Sequence, residues 1–143
     1  MFKNVELLLE ELKRLGYVPQ QFDSPMRHCR GEGIKFEYQI ADGSRTGETV
    51  LLGLVIPESA GSWPEGTPHW IHISPPDGVL EEQVQAHRGG SRGCVERYKD
   101  QEGVEWMAIS APVEDFWDKI NEPNGKNAEA YIERHLRRIW AAR

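Results

Sequence analysis

The sequence predicts an α+β fold: an N-terminal helix, an antiparallel meander of three to four strands, a long loop and two C-terminal helices. Three observations predict it. A helical stripe opens the chain at residues 2–15, strand-like apolar runs are confined to residues 34–74, and helical stripes return only after residue 110. Strands and helices segregated in this way do not build the parallel doubly wound sheets that alternate them. With 143 residues and 38 % hydrophobic content, residues 1–143 suffice for a single domain that buries most of its apolar surface without cross-links.

Each element has a local reason. Over 2–15, Phe2, Val5, Leu8, Leu9 and Leu12 recur at three- and four-residue spacing among Lys and Glu, which places one apolar face on a helix. Lys13 and Arg14 fall in its last turn, where cations suit the carbonyl end, and Gly16 ends it. Residues 17–33 carry prolines and glycines and read as an irregular lead-in. In 34-IKFEYQI-40, Ile34, Phe36, Tyr38 and Ile40 alternate with polar residues, the mark of a half-buried strand. The segment 41-ADGSRTGE-48 turns the chain through Asp-Gly and a second glycine. The apolar run 49-TVLLGLVIP-57 predicts a central strand covered on both faces. Another strand is expected at 69-HWIHIS-74, with Ile71 and Ile73 on one face and Trp70 and His72 on the other.

From Pro75 to about Gly103 the periodicity is lost, apart from 79-VLEEQVQAH-87, which has room for two helical turns. Loops of this length inside compact domains are functional or disordered. Order returns at 104-VEWMAIS-110. Ser110 is the expected N-cap of a helix over 111–121 with Val113, Phe116, Trp117 and Ile120 on one stripe. Asn127 is the expected cap of a last helix over 128–142, where Ile132, Leu136 and Ile139 form the stripe beside Tyr131, His135 and Trp140.

Composition narrows the partners. A formal charge of −6 argues against wrapping nucleic acid, which needs a basic stripe. Basic residues cluster only in 87-HRGGSR-92 and in Arg134, Arg137, Arg138 and Arg143. Two cysteines far apart, with no apolar leader and no long apolar run, lead us to expect a cytoplasmic protein of a reducing compartment with no membrane partner.

The residues with chemical interest lie in 63-WPEGTPHWIHISPPDG-78 and 91-SRGC-94. A helix, a meander closing on a proline-rich stretch, one cysteine in a glycine-rich loop, a tryptophan beyond it and C-terminal helices resemble the ubiquitin-conjugating superfamily. The likeness is to its divergent bacterial members, which are encoded beside activating enzymes and metalloprotease-type deconjugases. Here 63-WPEGTP-68 stands where that family has a Y-P-x-x-P-P-like element, His69 to Pro76 would continue as its fourth strand, and 106-WMAIS-110 stands for the tryptophan-containing segment leading into a helix. Cys94 lies 26 residues beyond Pro68 and 12 before Trp106, the first interval somewhat longer than is usual there. The family's His-Pro-Asn triplet shortly before the cysteine is absent; His87, seven positions upstream, stands alone.

What the resemblance implies is an enzyme that accepts a ubiquitin-like protein from an ATP-dependent activating enzyme as a thioester on Cys94 and passes it to an amine of a target protein. No metal or organic cofactor is implied. The first helix would dock the activating enzyme through Lys3, Glu6, Glu10, Lys13 and Arg14. A thiolate suits such transfer because it is both a soft nucleophile and a good leaving group. The frame 89-GGSRG-93 lets backbone amides point at a thioester carbonyl, while Arg88 and Arg92 favour the thiolate. The missing asparagine would weaken support for the oxyanion in the transfer step.

Plainer roles stand beside these. A lone loop cysteine is more often inert than catalytic. Ser91 is a second candidate nucleophile with no evident base, Cys29 a weaker cysteine candidate, and His87 an orienting group, a local hydrogen-bonding residue or a solvated one. His28 and His135 read as structural. His69 and His72, three apart on a strand, point to opposite faces and do not share a metal easily. The five tryptophans read as packing, with Trp63 a candidate for exposure to a partner. Two rivals to the enzyme follow: a non-catalytic module of the same order that binds a ubiquitin-like protein or partner, and an unrelated small α+β protein such as a toxin–antitoxin or antiphage-defence accessory.

Overall fold

A computed structural model describes residues 4–26, 31–87 and 94–141. Helix α1 spans Glu6–Arg14. Strands β1 (Gln20–Phe22), β2 (Gly31–Gln39), β3 (Thr49–Pro57) and β4 (Trp70–Ser74) follow, with a 3-10 turn at Glu58–Ala60. Then come helix α2 (Gly78–His87), strands β5 (Val95–Lys99) and β6 (Glu105–Ser110), helix α3 (Ala128–Arg134) and a 3-10 helix over Leu136–Ile139. The strands form one antiparallel sheet in the order β1-β2-β3-β4-β6-β5.

The coarse α+β expectation is borne out, and the strands at 34–40, 49–57 and 69–74 appear as β2, β3 and β4 with small changes of boundary. The alternation in β2 turns Ile34, Phe36, Tyr38 and Ile40 to one face, where they join Val50, Leu52, Leu54 and Ile56 of β3. That face carries the main core. Leu8 and Leu12 of α1, Leu80 of α2, and Tyr131, Leu136 and Trp140 close it from above. A hairpin joins β2 to β3 through Gly43 and Gly47, both at positive φ, with the Ile40 amide donating to the Glu48 carbonyl at 2.9 Å and the Gly47 amide to the Ile40 carbonyl at 2.8 Å.

The run 49–57 is apolar on both sides because the sheet has a second buried face. Phe22, Val55 and Trp106 pack there, joined by Leu51 and Tyr98, with Met26 on Ala108 nearby. Gly53 falls within the apolar run for a geometric reason. A Cβ at that position would stand 2.7 Å from the Phe22 ring, so the glycine makes the space that β1's aromatic side chain occupies.

Several expectations need correction. The sheet has six strands rather than three to four: β1 and the start of β2 fall in the segment 17–33 expected to be irregular, β5 falls in the stretch expected as a long loop, and 105–110 forms β6, while the short helix expected at 79–87 is present as α2. The hairpin from β5 to β6 is built by Asp100, whose Oδ1 accepts the amides of Glu102 and Val104 at 2.9 Å each while Oδ2 accepts the Trp106 indole N–H at 2.9 Å. Trp106 therefore lies inside a strand, in the second face, and its segment does not lead into a helix. Ser110 is not a cap: it pairs with Trp70 in the ladder and its hydroxyl meets His69, which leaves neither its backbone nor its oxygen for a helix start.

Residues 111–121 accordingly form isolated turns closed by three-residue bonds, such as Ile120 N–H to the Trp117 carbonyl at 3.2 Å. Trp117 is fixed by its indole donating to the Pro64 carbonyl at 3.1 Å and by contact with Trp63 and Tyr131. Asn127 does cap α3, accepting the Ala130 amide at 2.8 Å. The last helix is nevertheless broken at His135, which leaves helical geometry at φ −127°, ψ −64°. Trp63, a candidate for exposure, is 3 % exposed and packs against Trp117 and Tyr131.

No helix among the described residues is long and apolar enough to cross a membrane. Among the same residues no three His, Cys, Asp or Glu side chains converge to hold a metal ion.

Candidate functional site at one end of the sheet

One end of the sheet gathers Cys94, His69 and Ser110, three of the residues singled out in the sequence. There β4 begins, β6 ends and β5 begins: Trp70 pairs with Ser110, and Val95 pairs with Ile109. Cys94 sits one residue before β5, 5 % exposed and packed into the main core. His69, one residue before β4, places Nε2 2.8 Å from the Ser110 hydroxyl, and its carbonyl accepts the Ala111 amide at 2.8 Å. The ladder brings these residues together from positions far apart in the chain.

His69 and His72 have separate partners, as opposite faces require. His72 is fully buried in the second face, where its Nδ1 lies 2.7 Å from the Tyr98 hydroxyl and its ring packs edge-on to Phe22. His87 closes α2, three residues past Val84. Ser91, Arg88 and Arg92 lie outside the described residues, as do Cys29, His28 and Lys3.

Beside this sheet end is a cavity of about 280 Å³ lined by Val84 of α2, Ile109 and Ser110 of β6, Ala111, Pro112 and Glu114, and by Arg134, His135, Arg138 and Ile139. Its floor is apolar and buried: Val84, Ile109 and Ile139 are each under a tenth exposed. Its rim is charged. The Arg134 guanidinium carbon lies over the Phe116 ring, 4.6 Å from its centroid, and Arg138 Nη1 lies 3.8 Å from Glu114 Oε2. The basic cluster expected from the last helix is thus divided. Arg137 turns away to bond Asp42 at 2.7 Å and Glu133 at 2.9 Å, tying the β2–β3 hairpin to α3.

Two polar arrangements hold the walls in place. At the start of α2, Asp77 is 8 % exposed, accepts the Leu80 amide at 3.0 Å and pairs with Arg45. Burial alone would raise its carboxyl, yet the Leu80 amide and the Arg45 guanidinium outweigh it and hold the group below the usual range. On the far wall, His135 lies 2.8 Å from the Ala111 carbonyl through Nε2, so that nitrogen carries the hydrogen.

Burial depresses the His135 pKa, and the bond to Ala111 only partly offsets it. The consequence for stability has a definite sign. Above the ordinary value of 6.5 both states hold the ring neutral; as pH falls below it, the unfolded chain takes up a proton that the folded site resists, so stability declines. Urea midpoints followed from about pH 8 to about pH 5 should therefore fall, and His135→Gln should flatten that decline. An unchanged slope in the variant would remove His135 from the account.

The chain matches no family model, no curated protein and no solved structure. Its chemistry must be read from the residues themselves. The Ser110–His69 contact was missed in the sequence because it is a diagonal across two strands whose pairing no local pattern announces. The four-residue spacing of Arg134 and Arg138 was visible, but not that they face a cavity rather than solvent alone.

Proposed function

We propose that this chain is a non-catalytic binding domain that shares with the ubiquitin-conjugating family an N-terminal helix ahead of an antiparallel meander, engaging a ubiquitin-like protein or related partner rather than carrying it on Cys94. The burial of the thiol carries this reading. Cys94 is 5 % exposed among core residues, whereas accepting an acyl group from another protein's thioester requires the sulfur to reach a carbonyl carbon along an open approach. The absence of the His-Pro-Asn triplet points the same way. The arrangement of an N-terminal helix, antiparallel strands, a proline-rich segment before β4 and a C-terminal helix supports the architectural part of the reading.

A second reading, the thioester carrier, is favoured by one observation: Cys94 lies at the same sheet end as the Ser110–His69 pair. In that reading the Cys94 thiolate displaces the donor's thiol at the acyl carbon, and a target amine later displaces Cys94 in turn. Incubating the chain with a bacterial activating enzyme, ATP and a ubiquitin-like protein separates the two. The binding domain should form a complex without any thiol-sensitive band. In a Cys29→Ser background its Cys94 should react with Ellman's reagent about 100-fold slower folded than in urea. A reducible adduct that becomes thiol-resistant, or vanishes, in Cys94→Ser would establish the carrier and reject the binding domain; neither complex nor adduct would reject both.

A further inference from the structure

We propose that the cavity beside the end of β6 is a binding site for a small amphipathic carboxylate, a short aliphatic chain ending in a carboxyl group. The walls specify both ends of such a molecule. Val84, Ile109 and Ile139 supply a buried apolar floor, while Arg134 and Arg138 stand at the rim, Arg138 with 67 % of its side chain exposed.

The state of the two guanidiniums makes the case. The Arg134 guanidinium carbon lies over the Phe116 ring, 4.6 Å from its centroid, a cation–π contact that does not use up the guanidinium's hydrogen-bond donors. Arg138 faces Glu114 at 3.8 Å, beyond hydrogen-bond distance and across an exposed, screened gap. A ligand carboxylate seated between them would gain charge-assisted hydrogen bonds that Glu114 does not make. Arg137 gives the contrast: on the same segment, it is hydrogen-bonded to both Asp42 and Glu133.

Size limits the occupant. At about 280 Å³ the cavity lies just below the range of drug-sized ligand sites, which run from about 300 to 1,000 Å³. It fits a chain of a few carbons, with the neutral His135 ring and Pro112 as side walls. The inference does not depend on which macromolecule the domain binds.

The test is a titration of the full chain with hexanoate, read from the amide signals of Ile109, Ala111 and His135 in two-dimensional NMR. Hexanoate should shift these amides with a millimolar dissociation constant, and hexanol and hexylamine should bind about tenfold or more weakly. The double variant Arg134→Met with Arg138→Met should weaken hexanoate about tenfold or more while leaving the remaining spectrum in place. Val84→Phe, which fills the floor and keeps both charges, should abolish the shifts. The proposal is overturned if the amides stay still up to about 50 mM, if hexanol matches hexanoate, or if both variants bind as the parent does. N-acetyl-Leu-Gly binding about tenfold more tightly than hexanoate would overturn the free-acid assignment in favour of a peptide carboxyl terminus.

Discussion

Replacing Trp106 by alanine should cost about 3–5 kcal/mol of folding stability, the range for removing a fully buried large aromatic. The side chain is 0 % exposed, and the second face it fills is a small cluster with few residues able to move into the space. Its ring lies 4.8 Å from that of Phe22, which in turn meets His72, so its loss loosens β1 and β4 as well as its own strand. The indole N–H also satisfies Asp100, the residue that builds the β5–β6 turn. For a chain of this size the melting temperature should drop by about 10–20 °C. Trp106→Phe, which keeps a ring, should lose much less. A cost under about 1 kcal/mol in the alanine variant would mean that the second face contributes little to holding β6, and with it the Ser110 end of the sheet.

Glu11 is the second position with a large expected effect, through hydrogen bonding rather than volume. One carboxylate oxygen accepts two donors, the Trp63 indole N–H at 3.1 Å and the Ala128 amide at 2.8 Å. It thereby joins α1, the proline-rich segment and the first residue of α3. Each buried donor left without an acceptor costs about 1–3 kcal/mol, so Glu11→Ala should destabilise the fold by about 2–4 kcal/mol, allowing for water reaching the Ala128 amide. Glu11→Gln retains a carbonyl oxygen and should recover most of the loss. Urea unfolding of the two variants checks this, and equal losses in both would show that charge, not acceptance, is what the site requires.

These two residues also show why parts of the molecule were hidden in the sequence. Nothing near Glu11 marks it apart from the other acidic residues of its helix. Its partners lie 52 and 117 residues away. Strand β5 reads as 95-VERYK-99, with charge at three of five positions, because an edge strand is paired on one side only and its outer residues remain wet. Cys94 looked like a loop thiol because glycines precede it, yet the residue after it enters a strand that draws it into the core.

By itself the sequence determined what short-range periodicity and turn chemistry control. The apolar stripe and Gly16 define α1, strict alternation defines β2, the unbroken apolar run defines β3 as a strand buried on both faces, and Asn127 starts α3. These signals survive because each depends on neighbours within a few residues. Only the tertiary structure decided that β6 inserts between β4 and β5, that Ser110 is a ladder residue rather than a cap, that Cys94 is covered, and that Arg134 and Arg138 border a cavity with an apolar floor. Those outcomes depend on contacts between segments dozens of residues apart. Burial and hydrogen-bond satisfaction across such contacts outweigh the few tenths of a kcal/mol by which local propensity favours one backbone state over another.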